Sequence, residues 1–254
     1  MNIVGFSTTP MLALLFLPLL SVIGMENDKD VPRLPTSVER AGKPAGEGQK
    51  IRLFILSGQS NMAALTHQLF IVPALEKAFP EDSLIIVKHS KSGQPIHRWY
   101  KDWQPVGDWV PRNKRMVPGN NDLFMQLMDM VKEATAELKP DSVSFMWMQG
   151  EADAKSGQSA NYKESLAGLI RQIREDTGFP EATAVVGRLS DHLKDDPHWN
   201  GVRKAQMEVC DEDPHAAWID TDDLNGTNEG LHYSGDGYAI LGERFANATI
   251  KLLK

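Results

Sequence analysis

Beyond residue 50, short apolar runs alternate with longer segments in which apolar residues recur at helical spacing. A run that is apolar almost throughout, and bounded by polar or glycine residues, is typical of a buried strand in a parallel sheet. Five runs have this character, the last being the weakest: 51–56, 83–88, 142–148, 182–187 and 216–219. The segments with an apolar stripe on one helical face are 122–138, 162–177 and 238–253.

This alternation predicts the fold class. Strands that alternate with helices, and are apolar on both faces, indicate a parallel sheet covered by helices on both sides. We therefore expect an α/β protein, a three-layer α/β/α sandwich with a central parallel sheet of about five strands. The folded domain would occupy residues 50–254, which is long enough for one substantial core. In such sheets the active groups gather at the carboxyl ends of the strands.

The first quarter of the chain has a different character. Residues 1–24 carry no charged side chain and contain an apolar run at 11–23. That run is shorter than the ~20 apolar residues of a spanning helix, but it is typical of a secretory signal. We expect a signal peptide over 1–24 and a secreted or periplasmic product with no membrane attachment after cleavage. The early Lys or Arg of such signals is missing, so an uncleaved anchor or a misplaced start codon is the alternative. Residues 25–49 are rich in charge, Pro and Gly, which predicts a flexible linker.

Composition and charge exclude several classes of function. The net charge is −7 and the basic residues are scattered, whereas nucleic-acid binding needs a clustered basic face. Cys210 is the single cysteine, which excludes an intrachain disulfide and a Cys-based zinc site. The runs 191–198 and 211–215 contain His and Asp, but they lack the spacing of a hydrolytic zinc site and are predicted to be solvated loops. We expect no nucleic-acid partner, no metal and no cofactor, and the oligomeric state stays open.

Polar clusters follow the ends of the first, second and third predicted strands. In SGQSNM (57–62), Gly58 permits a tight turn and Ser60 would begin the next helix, where a backbone N–H can face an oxyanion. In SKSGQPI (90–96), Gly93 can present an unobstructed N–H. In WMQGEAD (147–153), Gln149 can donate its side-chain amide. Each signal is weak alone, because a serine after a strand is more often a helix cap.

A fourth cluster precedes the last predicted helix and contains His232, with Glu229 three residues earlier. A carboxylate that accepts from one ring N–H of a histidine fixes its tautomer, and the other nitrogen can then take a proton from a serine. Clusters that carry a serine, a glycine, a glutamine and a histidine occur in this order at successive strand ends. Together they form a stronger signal than any one of them.

These clusters resemble the SGNH hydrolase superfamily, and specifically its sialate O-acetylesterase-like carbohydrate acetylesterases, which include acetylxylan esterases. The matching segments span the predicted domain: SGQSNM (57–62), KSGQPI (91–96), WMQGEAD (147–153), VRKAQ (202–206) and GLHYS (230–234). The resemblance implies an SGNH, flavodoxin-like sandwich. It also implies a serine esterase that removes O-acetyl groups from a carbohydrate without a cofactor.

The resemblance also implies the roles of single residues. Ser60 is the expected nucleophile and His232 the expected general base. The oxyanion hole would consist of the Ser60 and Gly93 N–H groups and the Gln149 side chain. Gln149 stands where the wider superfamily has Asn, as is usual in this branch.

The third member of the triad departs from the family pattern. The family commonly has Asp three residues before the histidine, and this chain has Glu229, which is longer by one methylene. Glu229 is the expected partner of His232, and Asp223 and Asp236 are other nearby carboxylates that can serve.

A long segment rich in aromatic residues, 95–118, is the expected wall of the substrate cleft. Aromatic faces suit the apolar sides of sugar rings, although a small satellite core explains the pattern equally well. Candidate substrate-binding residues lie here and beside the catalytic blocks: Gln59, Asn61, Glu151, Trp99 and Trp103.

The expected partner is an acetylated carbohydrate. Sialic acid, acetylated xylan, pectin and bacterial glycans all stay open, because residue types do not identify the sugar. The alternatives are a short-chain lipase or thioesterase on the same fold, and a carbohydrate-binding protein without turnover.

Overall fold

A six-stranded mixed sheet forms the centre of the protein in the computed structural model, which describes residues 34–110, 117, 119–226 and 230–254. The strands are β1 Thr36–Gly42, β2 Ile51–Gly58, β3 Ser83–Ser90, β4 Ser142–Met148, β5 Thr183–Gly187 and β6 Ala216–Ile219. Their order is β1-β3-β2-β4-β5-β6, with β2 to β6 parallel and β1 antiparallel to β3. All five predicted strands are present, and they form the parallel part of the sheet.

Helices cover both faces of this sheet, so the predicted α/β/α sandwich is confirmed. In the described residues the helices are α1 Ser60–Ala64, α2 His67–Phe70, α3 Val72–Ala78, α4 Asp122–Ala134, α5 Glu151–Lys155, α6 Tyr162–Thr177, α7 Pro197–Asp211 and α8 Gly235–Leu253. Helix α6 has the predicted bounds, α4 ends earlier than predicted, and α8 begins earlier because Ser234 caps its first turn. None of these helices is long and apolar enough to cross a membrane.

Helix α7 corrects the prediction that residues 191–198 are a solvated loop. Asp196 accepts a hydrogen bond from the Trp199 N–H at 2.7 Å, and Pro197 occupies the first helical turn. Both are helix-start signals, since an Asp cap satisfies a free N–H and proline has none to satisfy. The last two residues of that run, Pro197 and His198, are therefore the start of a helix.

Strand β1, Thr36–Gly42, corrects one part of the prediction that residues 25–49 are a flexible linker, and residues 25–33 lie outside the described residues. It pairs with β3 along its whole length at the edge of the sheet. Its side chains alternate between exposed and half-buried, and Val38 is 47% exposed. Backbone hydrogen bonds hold this strand in place more than apolar burial does, so it lacks the pattern that identified the other strands. The predicted signal peptide, 1–24, lies outside the described residues and stays a prediction.

The topology points to one edge of the sheet as the place for a site. The chain passes from the central strand β2 to β3 on one side, and then crosses back to β4 on the other side. At such a reversal the connections diverge and leave a crevice at the carboxyl ends of the strands. The first three polar clusters of the sequence follow β2, β3 and β4, so they meet at this crevice.

Candidate active site

The turn after β2 places Ser60 at the crevice. Gly58 has a φ of +142°, and a Cβ built on it would lie 2.0 Å from the carbonyl oxygen of Met148. The Gln59 N–H donates to the same oxygen at 2.9 Å. Because β2 and β4 approach so closely, only glycine fits at this position. The chain then turns, and Ser60 becomes the first residue of α1, half-buried, as predicted.

Ser60, Gly93 and His232 lie on the wall of one cleft of about 330 Å³. Gly93 is exposed in a left-handed turn with φ of +68°, and the space beside its Cα is open. The Lys91 N–H donates to the Gly58 carbonyl at 3.0 Å, which joins the Gly93 loop to the nucleophile turn. The structure thus brings together three of the four residues that the sequence predicted would gather. A cleft of this volume suits a small ligand.

The loop that carries His232 is tied to the turn that carries Ser60. The Asn61 Nδ2 atom donates to the Leu231 carbonyl at 3.2 Å, so the residue after Ser60 holds the residue before His232. Asn225 also donates to the Gly230 carbonyl. The His232 side chain itself is exposed to solvent at the cleft.

The described contacts concern two of the three carboxylates that the sequence offers as the partner of His232, Asp223 and Asp236. Glu229 lies outside the described residues, and its role stays a prediction. Both oxygens of Asp223 accept hydrogen bonds from Arg244, at 2.6 and 2.7 Å, and these bonds lower the pKa of Asp223. Asp236 is exposed in the first turn of α8. The pairing with Arg244 weakens the case for Asp223 as the alternative partner.

Gln149 lies behind the cleft instead of on its wall. Its side chain is fully buried, and its Nε2 atom lies 2.6 Å from Asp153 Oδ2 and 3.1 Å from the Gln94 carbonyl. Its Oε1 atom lies 2.9 Å from the Tyr162 hydroxyl. An amide nitrogen has two hydrogens, and both have protein acceptors here. In this arrangement Gln149 supports the Gly93 loop through its hydrogen bond to the Gln94 carbonyl.

Two predicted substrate-binding residues flank Ser60 and have different surroundings. Asn61 is 1% exposed, donates to Glu151 Oε1 at 2.9 Å, and accepts from the Tyr238 hydroxyl at 3.0 Å. Its polar atoms are occupied by the protein, which corrects the prediction that it binds substrate. Gln59 does line the cleft, although its Oε1 atom already accepts from the Ala152 N–H at 3.3 Å.

Two buried carboxyl groups, Glu151 and Asp153, also line the cleft. Burial raises the pKa of each carboxyl group to about 7. Asp153 Oδ2 accepts from the Ile96 N–H at 2.9 Å, which anchors the loop after Gly93. Glu151 Oε2 and Asp153 Oδ1 have no hydrogen-bond partner among the described protein groups. Burial therefore favours the protonated form of both carboxyl groups, and each has one buried oxygen without a described protein partner.

The segment rich in aromatic residues supplies part of the cleft wall, but not through every residue predicted. Trp103 and Trp109 line the cleft. Trp99 is fully buried and packs edge-on against Trp147 with ring centroids 5.2 Å apart, which corrects its predicted contact with substrate. His97 lines the cleft as well, and sequence reasoning did not single it out. Its position next to the KSGQPI block was the signal that could have found it.

Other chemistry-bearing groups lie apart from this cleft. Cys210 is buried in α7, and burial raises the pKa of its thiol to about 12, so it is not a reactive thiolate. Across the described ranges, no group of three or more His, Cys, Asp or Glu side chains is placed to hold a metal ion.

Three solved structures share this architecture. A protein from Arabidopsis thaliana gives a TM-score of 0.59 at 17% identity over 79% of this chain and 98% of its own. A carbohydrate acetylesterase from Xanthomonas citri gives 0.59 at 17% identity, over 79% of this chain and 56% of its own. NanS gives 0.58 at 12% identity, over 81% of this chain and 98% of its own. At these identities the likeness shows the fold, an α/β sheet with helices on both faces.

The comparison with family models identifies the class of reaction. No curated protein compared with this sequence matches it. The family model "Carbohydrate esterase, sialic acid-specific acetylesterase" matches residues 67–251, a range that includes Gly93, Gln149 and His232 but begins after Ser60. The chain therefore belongs to this family of carbohydrate esterases and is a carboxylic ester hydrolase.

Proposed function

We propose that this protein removes O-acetyl groups from a carbohydrate by two-step acyl transfer through Ser60. The observation that carries the proposal is that Ser60, Gly93 and His232 line one cleft at the carboxyl end of β2. The acetylated carbohydrate as substrate follows from the family, and one structural neighbour is itself a carbohydrate acetylesterase.

In the acylation step, a ring nitrogen of His232 takes the proton of the Ser60 hydroxyl as Oγ attacks the acetyl carbonyl carbon. The carbonyl oxygen becomes an oxyanion, which the Ser60 and Gly93 N–H groups stabilise. The C–O bond to the sugar then breaks, and the departing sugar oxygen takes the proton from His232. Acetate is left esterified to Ser60.

In the deacylation step, His232 takes a proton from water, and the hydroxide that forms attacks the acyl carbon. The bond to Ser60 breaks, acetate leaves, and the proton returns from His232 to the serine oxygen. Glu229 is the proposed partner that orients His232. Gln149 is a third oxyanion donor only if its amide turns away from Asp153 or Gln94; a donor that takes part is worth roughly 10²–10³ in rate.

Single substitutions test the catalytic pair. Ser60→Ala and His232→Ala are expected to lower kcat/KM for p-nitrophenyl acetate by at least about 10³-fold, because members of such a unit act together. His198→Ala is the matched control, since this exposed histidine of α7 does not line the cleft. Full activity of Ser60→Ala or of His232→Ala would refute the assignment.

The acyl group and the sugar are tested separately. Rates on p-nitrophenyl esters of increasing chain length are expected to fall steeply beyond acetyl, whereas a short-chain lipase would retain activity on longer esters. Acetate release is then measured from acetylated xylan, acetylated pectin and an O-acetylated sialic acid. Activity on aryl acetates with none on any acetylated glycan would contradict the carbohydrate part of the proposal.

A further inference from the structure

The side chain of Asn61 lies buried among the segments that build the catalytic end of the cleft. It is 1% exposed and belongs to the first turn of α1. Its Nδ2 atom donates to Glu151 Oε1 at 2.9 Å and to the Leu231 carbonyl at 3.2 Å, and its Oδ1 atom accepts from the Tyr238 hydroxyl at 3.0 Å. One amide group therefore joins the nucleophile turn to the start of α5, to the loop that carries His232, and to α8.

The loop of residues 230–234, which we call the histidine loop, has no helix or strand of its own. His232 is exposed, so its position depends on the backbone of this loop more than on packing of its own ring. Across the described ranges, the bond from Asn61 to Leu231 is the one hydrogen bond between the histidine loop and the nucleophile turn, residues 58–61. This bond therefore sets the spacing between the two.

The proposed reaction needs a short contact between the two catalytic side chains. A general base takes a proton from a nucleophile across roughly 2.6–3.2 Å, and a displacement of about 1 Å can lower the rate about 10²-fold. Ser60 precedes Asn61 in the chain, and His232 follows Leu231. The hydrogen bond between Asn61 and Leu231 therefore limits how far the catalytic pair can move apart.

Asparagine suits this position because its amide nitrogen has two hydrogens that point in different directions. One hydrogen is directed to Glu151 and the other to Leu231, while the Tyr238 hydroxyl bonds the oxygen end, so the amide is held in one orientation. A serine hydroxyl has a single hydrogen, and an ionised aspartate has none. Neither can replace both bonds at once.

We propose that Asn61 is a positioning residue that holds the histidine loop at the distance from Ser60 that proton transfer requires. It acts through His232, and its buried side chain is not part of the cleft wall. This assignment rests on the proposed function, since it takes Ser60 and His232 as the catalytic pair. It adds a residue that controls the geometry of this pair without contact with the substrate.

A double-mutant cycle separates this role from a general effect on the fold. The kcat/KM for p-nitrophenyl acetate is measured in wild type, Asn61→Ala, His232→Ala and the variant with both changes. In the wild-type background, Asn61→Ala is expected to lower kcat/KM roughly 10²-fold. In the His232→Ala background, the same change is expected to alter the residual rate by less than about three-fold, because the side chain that Asn61 positions is absent.

Asn61→Asp keeps the shape of the side chain and loses both N–H donors, so it repeats the test if Asn61→Ala does not fold. Thr183→Val is the matched control, because it removes a buried hydrogen bond to Ser144 of 2.9 Å, between β5 and β4. The control is expected to lower Tm and to keep kcat/KM within about two-fold of wild type.

Three results would overturn the proposal while leaving Ser60 catalysis intact. They are equal losses in the two backgrounds, wild-type kcat/KM in the Asn61 variants, and a loss in Thr183→Val as large as that in Asn61→Ala. Full activity of His232→Ala would instead refute the proposed catalytic pair, and this proposal would fail with it.

Discussion

Replacing Glu151 by glutamine removes a carboxyl group that the fold buries at the edge of the cleft. Glu151 is 2% exposed; its Oε1 atom accepts from Asn61 at 2.9 Å, and its Oε2 atom has no partner among the described protein groups. Burial raises the pKa of this carboxyl group from 4.5 to about 7. Glutamine keeps the shape and the acceptor oxygen but cannot titrate, so the variant isolates the effect of ionisation.

The sign of the effect follows from the two pKa values. Below pH 4.5 the Glu151 carboxyl group is protonated in both the folded and the unfolded chain. Between pH 4.5 and 7 the folded protein keeps a proton that the unfolded chain releases, so the wild-type protein loses stability as the pH rises. The loss is complete above the folded pKa and amounts to at most about 3 kcal/mol. Glu151→Gln does not undergo this loss.

Urea unfolding followed by tryptophan fluorescence measures the difference directly at about pH 4.5, 6 and 8. The free energy of unfolding of Glu151→Gln, relative to wild type, is expected to rise across this range by up to about 3 kcal/mol. Glu164→Gln makes the same change of charge at an exposed position of α6 and serves as the matched control. A difference between Glu151→Gln and wild type that stays constant with pH would refute the reasoning.

Four further predictions concern three single residues and the N-terminal segment. Gly58→Ala should prevent folding, or lower the free energy of unfolding by more than about 3 kcal/mol, because its Cβ would lie 2.0 Å from a β4 carbonyl oxygen. Gly235→Ala is the control, because the space beside Gly235 is open, and it should not lower Tm in this way. Burial lowers the pKa of Lys88 from 10.5 to about 7. As the pH rises from about 7 to 10.5, the wild-type protein should therefore gain stability relative to Lys88→Met. A difference in the free energy of unfolding in urea that stays constant with pH would contradict this. Asp223→Asn should lower Tm, because it weakens the pairing with Arg244, yet keep p-nitrophenyl acetate hydrolysis within a few-fold of the wild-type rate. A loss of activity as large as that of His232→Ala would make Asp223 the triad carboxylate. Mass spectrometry of the secreted protein should show that residues 1–24 are removed, and an intact Met1 would contradict the predicted signal.

The strands and the meeting of the polar clusters could be predicted because they depend on strong local signals. Strands 51–56 and 142–148 are nearly continuous apolar runs, and a parallel sheet brings the ends of such runs to one edge. Strand β1 gave no such signal, since an edge strand is held by backbone hydrogen bonds and its side chains stay partly exposed. The pattern of apolar and polar residues therefore predicts which strands are buried, but it does not predict a strand that is held mainly by backbone hydrogen bonds.

The direction in which each polar side chain points could not be predicted from residue type. Gln149 belongs to a block that reaches the cleft, yet its amide is taken up by Asp153, whose carboxyl group lies one helical turn later. Trp99 and Trp103 are neighbours in one segment, but only Trp103 reaches the cleft, because Trp99 packs on Trp147. These outcomes depend on contacts between distant parts of the chain, which no local pattern specifies.

The central claim is that Ser60 is the nucleophile, and covalent labelling tests it most directly. The full-length protein is treated with a fluorophosphonate, and the modified residue is located by peptide mass spectrometry in wild type and in Ser60→Ala. The account predicts a single label on Ser60, loss of esterase activity in step with labelling, and no label in the variant. A label on another residue, or full hydrolysis with Ser60 unmodified, would contradict it.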